Sequence, residues 1–193
     1  VALDEQGNLT RTKIASTPRA PEDGLLAALD TLLVDVAAHE IALVAHASTI
    51  ATNALLGQVH LELPRAAFVT TAGFRDVLEI GRQNRSAIYD LGVMRPKPLV
   101  RRADRLVVSE RRTHTGDVVT PLDARDVANV VATIRERAIT TVAVGLLHAD
   151  VDGSHECAIR DALAAALPDI DISLSSDIDP QYREYERFST TVV

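Results

Sequence analysis

Val44-Ala45-His46-Ala47-Ser48-Thr49-Ile50-Ala51-Thr52-Asn53-Ala54-Leu55-Leu56 decides how this chain is read. An apolar strand, Ile41 to Ala45, runs into a turn of small and hydroxylated residues, and the turn opens a helix over 49–56. A turn of this kind aims free backbone N–H groups and side-chain hydroxyls at one point, with the positive end of the helix dipole behind them. That suits a phosphate, a carboxylate or a developing oxyanion. Phe68-Val69-Thr70-Thr71-Ala72-Gly73-Phe74-Arg75-Asp76 repeats the device, a strand ending in hydroxyls and a glycine. Successive strand–helix units are expected to set the two turns side by side at one sheet edge, where open α/β folds bind ligands.

The pattern continues outward from these two turns. Val1-Ala2-Leu3 and Leu9 to Ala15 read as a hairpin turning at Gly7-Asn8. Pro21 suits the first turn of a helix whose apolar face is Leu25, Leu26, Leu29, Leu32, Leu33 and Val36. Strand 66–70 follows. Periodicity then fades from Gly73 to Arg105, where Pro96 and Pro98 break regular structure and a weak domain boundary is placed at 94–100. Leu106-Val107-Val108 reads as a strand with Val118-Val119 as its hairpin partner, and Asp123 as the cap of a helix facing inward through Val127, Val130, Val131 and Ile134. Thr141 to Leu147 is nearly all apolar, as a strand buried on both faces should be. A helix at 154–167, a strand at 170–174 and a helix from about Gln181 complete the order. A hairpin followed by strand–helix alternation predicts an α/β fold, a mixed sheet with flanking helices.

Composition narrows the function. A net charge of −7 argues against a nucleic-acid surface, which needs a basic stripe. The basic residues do cluster, as Arg75, Arg82, Arg85, Arg95, Lys97, Arg101, Arg102 and Arg105, and read as a solvated edge or an anion-attracting rim. One cysteine, Cys157, excludes an internal disulfide and a cysteine metal cage. No apolar run approaches the roughly 18–20 residues that span a membrane, and the cytoplasm is the expected compartment. The chain opens and closes inside apparent elements, at Val1 and at Thr190-Thr191-Val192-Val193, so it is read as a fragment of a longer protein.

Candidate site residues follow from the turns. His46 is a candidate proton carrier, or a boundary residue held by hydrogen bonds. Ser48, Thr49, Thr52 and Asn53 offer hydroxyls and an amide, although Ser48 or Thr49 also serves as an ordinary helix cap. The second turn supplies Thr70, Thr71, Gly73 and Asp76, followed by Glu79 and Arg82. His148 ends the buried strand and could join His46 to bind a metal or shuttle a proton. The segment Gln181 to Thr191 reads as a solvated charged helix with internal pairs. P-loop, Rossmann, nucleophile-elbow and His-Glu-x-x-His patterns are all absent.

Taken in order, these blocks resemble the N-terminal region of the hydantoinase A / 5-oxoprolinase family. The blocks are His46 to Leu56, Thr70 to Gln83, Tyr89-Asp90-Leu91, Glu110-Arg111, Thr120 to Asp123, Leu146-Leu147-His148, Leu174-Ser175-Ser176, and Arg183 to Arg187 with Ser189-Thr190-Thr191. The resemblance implies part of an actin/sugar-kinase/Hsp70-like ATPase lobe. It also implies ATP with Mg²⁺, and opening of hydantoin or 5-oxoproline-type rings through phosphorylation of a carbonyl. His46 and Asp76 would be catalytic. Ser48, Thr49, Thr52, Asn53, Thr70, Thr71, Gly73 and Arg82 would contact substrate or phosphate. The small-molecule partner would be a cyclic amide or ketone, beside a hydantoinase B-like subunit or domain. A ketone carboxylase subunit and a non-catalytic scaffold are the alternatives. The chain departs from the family pattern in having Ala47-Ser48-Thr49 directly after the histidine, where family members carry glycine or threonine. The family's glycine-rich phosphate loop would precede Val1 and a second lobe would follow Val193, so this piece alone is expected to be inactive.

Overall fold

Thr141 to Gly145 carries no charge and lies at the centre of a sheet, as its apolar run requires. The computed structural model describes residues 1–34, 36–57, 63–84, 87, 89–90, 92 and 97–193. The chain divides into two compact units, Val1–Leu63 and Pro64–Val193.

In the first unit, β1 (Ala2–Leu3) pairs antiparallel with β2 (Leu9–Thr10). The turn between them uses Gly7 at φ +83°, a left-handed conformation that glycine adopts without a Cβ clash. Helix α1 (Pro21–Leu32) starts on its proline, and α2 spans Ile50–Leu55. Ile41 to Ala45 does not form the expected strand: no described residue pairs with it, and Leu43 is 83% exposed. Alternating apolar residues make a strand only where a neighbouring strand completes the ladder. None of the first unit's described residues is buried.

The second unit is built on a parallel sheet in the order β4-β3-β7-β8, from β3 (Ala66–Thr71), β4 (Arg105–Val108), β7 (Thr141–Gly145) and β8 (Asp171–Leu174). Pairing runs Thr71 to Val108, Thr70 to Gly145 and Val144 to Leu174, so all four strands end at one edge. Among the described residues, antiparallel pairing is confined to β1–β2 and to β5 (Arg111–Arg112) with β6 (Val118–Thr120). Val118-Val119 therefore partners Arg111-Arg112 and not Leu106–Val108, which the parallel sheet already claims.

Alternation along the strands divides the core between two faces. Ala67, Val69, Val142 and Val144 pack with α4 (Ala124–Glu136) and α5 (Ser154–Ala166) through Val127, Val130, Ile134, Ile159 and Leu163. Asp123 caps α4 as expected, accepting from the Arg125 N–H at 2.8 Å. Phe68 and Ala143 face the other way and meet Phe188 of α7 (Glu184–Val192). Gly145 makes room for that contact: a Cβ there would lie 2.5 Å from Phe188 and 2.9 Å from Phe68. Short helices α3 (Val77–Ile80) and α6 (Ser175–Ile178) follow β3 and β8. Of the residues singled out above, Arg85, Leu91, Arg95 and Pro96 lie outside the described set.

Candidate functional site

The first unit carries a groove of about 350 Å³ lined by Ile14 to Pro18, Pro21, Gly24, Leu25, His46 to Ser48, Ile50 and Asn53. Hydroxyls of Ser16 and Ser48, the Asn53 amide and the His46 ring share it, and no carboxylate lines it among the described residues. A groove with hydrogen-bonding groups and no negative side chain is compatible with an oxyanion or a carbonyl. His46, Ser48 and Asn53 are thus brought together, while Thr49 and Thr52 are exposed on the same short helix start. Ser48 also serves locally, its Oγ accepting from the Ile50 N–H at 3.1 Å. Thr49 makes no cap; its Oγ1 lies 3.4 Å from the Asn53 Nδ2.

The second unit gathers polar side chains at the carboxyl edge of its parallel sheet. Thr71 is buried where β3 ends. Its hydroxyl donates to Glu110 Oε1 and accepts from the Leu147 N–H at 3.1 Å. Glu110 Oε2 lies 2.9 Å from His155 Nδ1, in the first turn of α5. A continuous relay therefore links the ends of β3 and β7 to a buried carboxylate and a partly exposed imidazole. Neighbouring Thr70 is buried with no partner for its hydroxyl among the described residues.

A second buried network lies beside it. Glu156 accepts from the Leu146 N–H at 2.8 Å, the Ser175 hydroxyl at 2.7 Å and the Ser176 N–H at 2.9 Å. Arg187, wholly buried, donates to Ser175 Oγ, Asp150 Oδ1, the Gln181 carbonyl and the Leu146 carbonyl at 2.7–3.1 Å. The segment expected as a solvated charged helix thus buries Arg187, because four acceptors, from the turn after β7, from Ser175 and from Gln181, satisfy its guanidinium. His148, at φ +56°, donates its backbone N–H to Glu184 Oε1 at 3.3 Å.

The second-turn residues have defined settings. Gly73 sits at φ +91° in the turn that leaves β3. Asp76 receives two hydrogen bonds from Arg102, at 3.0 and 2.9 Å, with Arg105 at 3.4 Å. The Arg102 hydrogen bonds hold the Asp76 carboxyl below its ordinary range. Such a carboxylate stays ionised and orients charge. Arg105, buried, also donates to Glu79 at 2.9 Å, and Arg82 pairs with Glu186 at 2.6 Å. The basic cluster is therefore largely matched by carboxylates where it is described. It borders a groove of about 420 Å³ beside β4, lined in part by Arg75, Arg102, Asn129 and Thr133. His46 belongs to the first unit and His148 to the second.

Glu110, Asp150, His155, Glu156 and Glu184 were not among the predicted site residues. One of them left a signal in the sequence. Glu156 falls on the helical stripe of Ile159 and Leu163, an acid placed where the pattern calls for an apolar residue.

Residues 1–167 match the family described as the hydantoinase/oxoprolinase N-terminal region. An uncharacterized protein of Methanocaldococcus jannaschii is 38% identical over 181 residues, covering 94% of this chain and 26% of the relative. The caprolactamase subunit alpha of Pseudomonas jessenii is 31% identical over 204 residues, covering 100% of this chain and 28% of the relative. The crystal structure of ATP-dependent caprolactamase from that organism matches with a TM-score of 0.78 at 30% identity, over 100% of this chain and 28% of its own. A nucleotide-free acetone carboxylase structure shares the fold, with a TM-score of 0.71 at 21% identity over 92% of this chain and 27% of its own. The expected α/β fold agrees with both structures. The chain spans about a quarter of the length of these relatives.

Proposed function

Because the chain belongs to the hydantoinase/oxoprolinase family, we propose that it is the N-terminal region of an ATP-dependent enzyme that opens cyclic amides. Relatedness to an ATP-dependent caprolactamase, a lactam-opening enzyme by name, over the whole chain carries this reading. Phosphoryl transfer from ATP would make the ring carbonyl oxygen a leaving group. Water can then add at that carbon, and the ring C–N bond breaks as a proton passes to the nitrogen, which departs as an amine. A second water cleaves the resulting acyl phosphate into carboxylate and inorganic phosphate.

This chain's share of that chemistry is binding and orientation. Ser48, Thr49, Thr52 and Asn53 would hydrogen-bond a phosphate or the ring carbonyl, in a groove that no carboxylate lines among the described residues. His46 stands in the same groove as the candidate proton carrier. In the second unit, Thr70, Thr71 and Gly73 would shape a contact surface of their own, with Asp76 and Arg82 fixing charge beside it. Mg²⁺ enters the proposal as the counter-ion that phosphoryl transfer needs. The chain would work beside a second subunit, as a protein related to one named subunit alpha, and in the cytoplasm. By itself it would bind nucleotide poorly and not turn over.

Phosphate release from ATP by the full-length protein tests this reading. It should depend on hydantoin, 5-oxoproline or caprolactam and match the open-chain product. Turnover that requires a ketone and bicarbonate would replace it with the carboxylase reading, and no ATP turnover at all with a scaffold.

A further inference from the structure

We propose that His148, Asp150 and Glu184 form a site for one divalent cation of the Mn²⁺ or Zn²⁺ type. His148 and Asp150 follow β7, and Glu184 opens α7, so two elements meet at the carboxyl edge of the sheet. One donor atom from each residue, an imidazole nitrogen and two carboxylate oxygens, lies within 4.8 Å of the others. A metal–donor length of about 2.1 Å needs separations of about 3.0–3.4 Å, which small side-chain rotations supply.

The charge balance favours a cation. Asp150 lies 3.1 Å and Glu184 3.6 Å from the Arg187 guanidinium. Ser175 Oγ bridges the same guanidinium to Glu156. Two carboxylates thus pair with one guanidinium, with Glu156 joined to it only through Ser175, and Arg187 and Glu156 are fully buried, where uncompensated charge is most costly. The nearby arginines are engaged elsewhere, Arg82 with Glu186 and Arg183 over the Tyr182 ring. Arg187 takes Oδ1 of Asp150 and approaches Oε1 of Glu184, leaving Oδ2 and Oε2 without a hydrogen-bond partner among the described residues. Its role is then that of an outer group orienting two metal-binding carboxylates. One nitrogen with two carboxylates suits Mn²⁺ or Zn²⁺, whereas Mg²⁺ favours an all-oxygen shell with several waters.

The test needs neither nucleotide nor ring substrate, so its outcome is separate from that of the proposed reaction. The chelator-stripped chain is titrated with Mn²⁺ and followed by electron paramagnetic resonance, with Zn²⁺ as competitor. One Mn²⁺ should bind per chain, show nitrogen coupling in the pulsed spectrum, and be displaced by Zn²⁺. His148→Gln, at a side chain 34% exposed, should abolish the nitrogen coupling and weaken binding at least about tenfold. Glu184→Gln should weaken it similarly, with circular dichroism unchanged for both. Absence of stoichiometric binding, or binding that neither substitution alters, would overturn the site.

Discussion

The two units spend their apolar residues differently. From Pro64 onward, buried side chains on both sheet faces make a core, from Ala67 and Phe68 through Ile159 and Phe188. Before it, Leu3, Val34, Leu43 and Leu56 stand 70–83% exposed and no described residue is buried. Hydrophobic burial is the main favourable term in folding, so the second unit carries the chain's stability. The proposed substrate contacts of the first unit, Ser48 to Asn53, sit on a segment with little packing to lose. Stability is thus the second unit's, while the first unit offers contact chemistry with little burial behind it.

Substitutions can break or sharpen that division. Arg187→Leu should cost most, about 3–5 kcal/mol, because Asp150 and the Leu146 and Gln181 carbonyls would lose a buried partner. Urea denaturation followed by circular dichroism measures it. Gly145→Ala should cost about 1–3 kcal/mol by overpacking, since its Cβ would meet Phe188 and Phe68 below 3.0 Å. A melting point unchanged by it would mean that the α7 face of the sheet is loosely packed.

Acid should act on the second unit through Asp104. Hydrogen bonds from Arg65, and then from Arg137, depress its carboxyl pKa in the folded state. A depressed pKa stabilises the fold above the unfolded value, near 3.9, and that contribution is lost as pH falls through the lower folded value. Asp104→Asn should therefore lower stability at neutral pH and flatten the decline below about pH 4. Denaturation midpoints from pH 2 to 7 read the difference. Leu43→Asp, in the first unit, should change stability by no more than about 0.5 kcal/mol. A larger loss on that denaturation curve would reveal a core that the first unit does not show.

Elements set by local chemistry were legible in the sequence. Pro21 marked the start of α1, Asp123 capped α4, and the uncharged run at 141–145 became the central strand. Elements set by distant partners were not. Leu106–Val108 has the composition of a strand, but its choice of β3 over Val118-Val119 depends on Phe68 to Thr71. Ile41 to Ala45 has the pattern of a strand and no described partner. The site divided in the same way. His46, Ser48 and Asn53 were found because they are close in sequence and line one groove. Glu110 with His155, and Glu156 with Arg187, were missed because each network joins segments far apart in the chain.

Ring-dependent ADP formation by the full-length protein carrying Asn53→Ala puts the central claim most directly at risk. If the hydroxyl-and-amide turn contacts phosphate or ring carbonyl, turnover should fall by about tenfold or more while the melting temperature stays unchanged. Full turnover in that variant would contradict the assignment of the first unit as the contact surface.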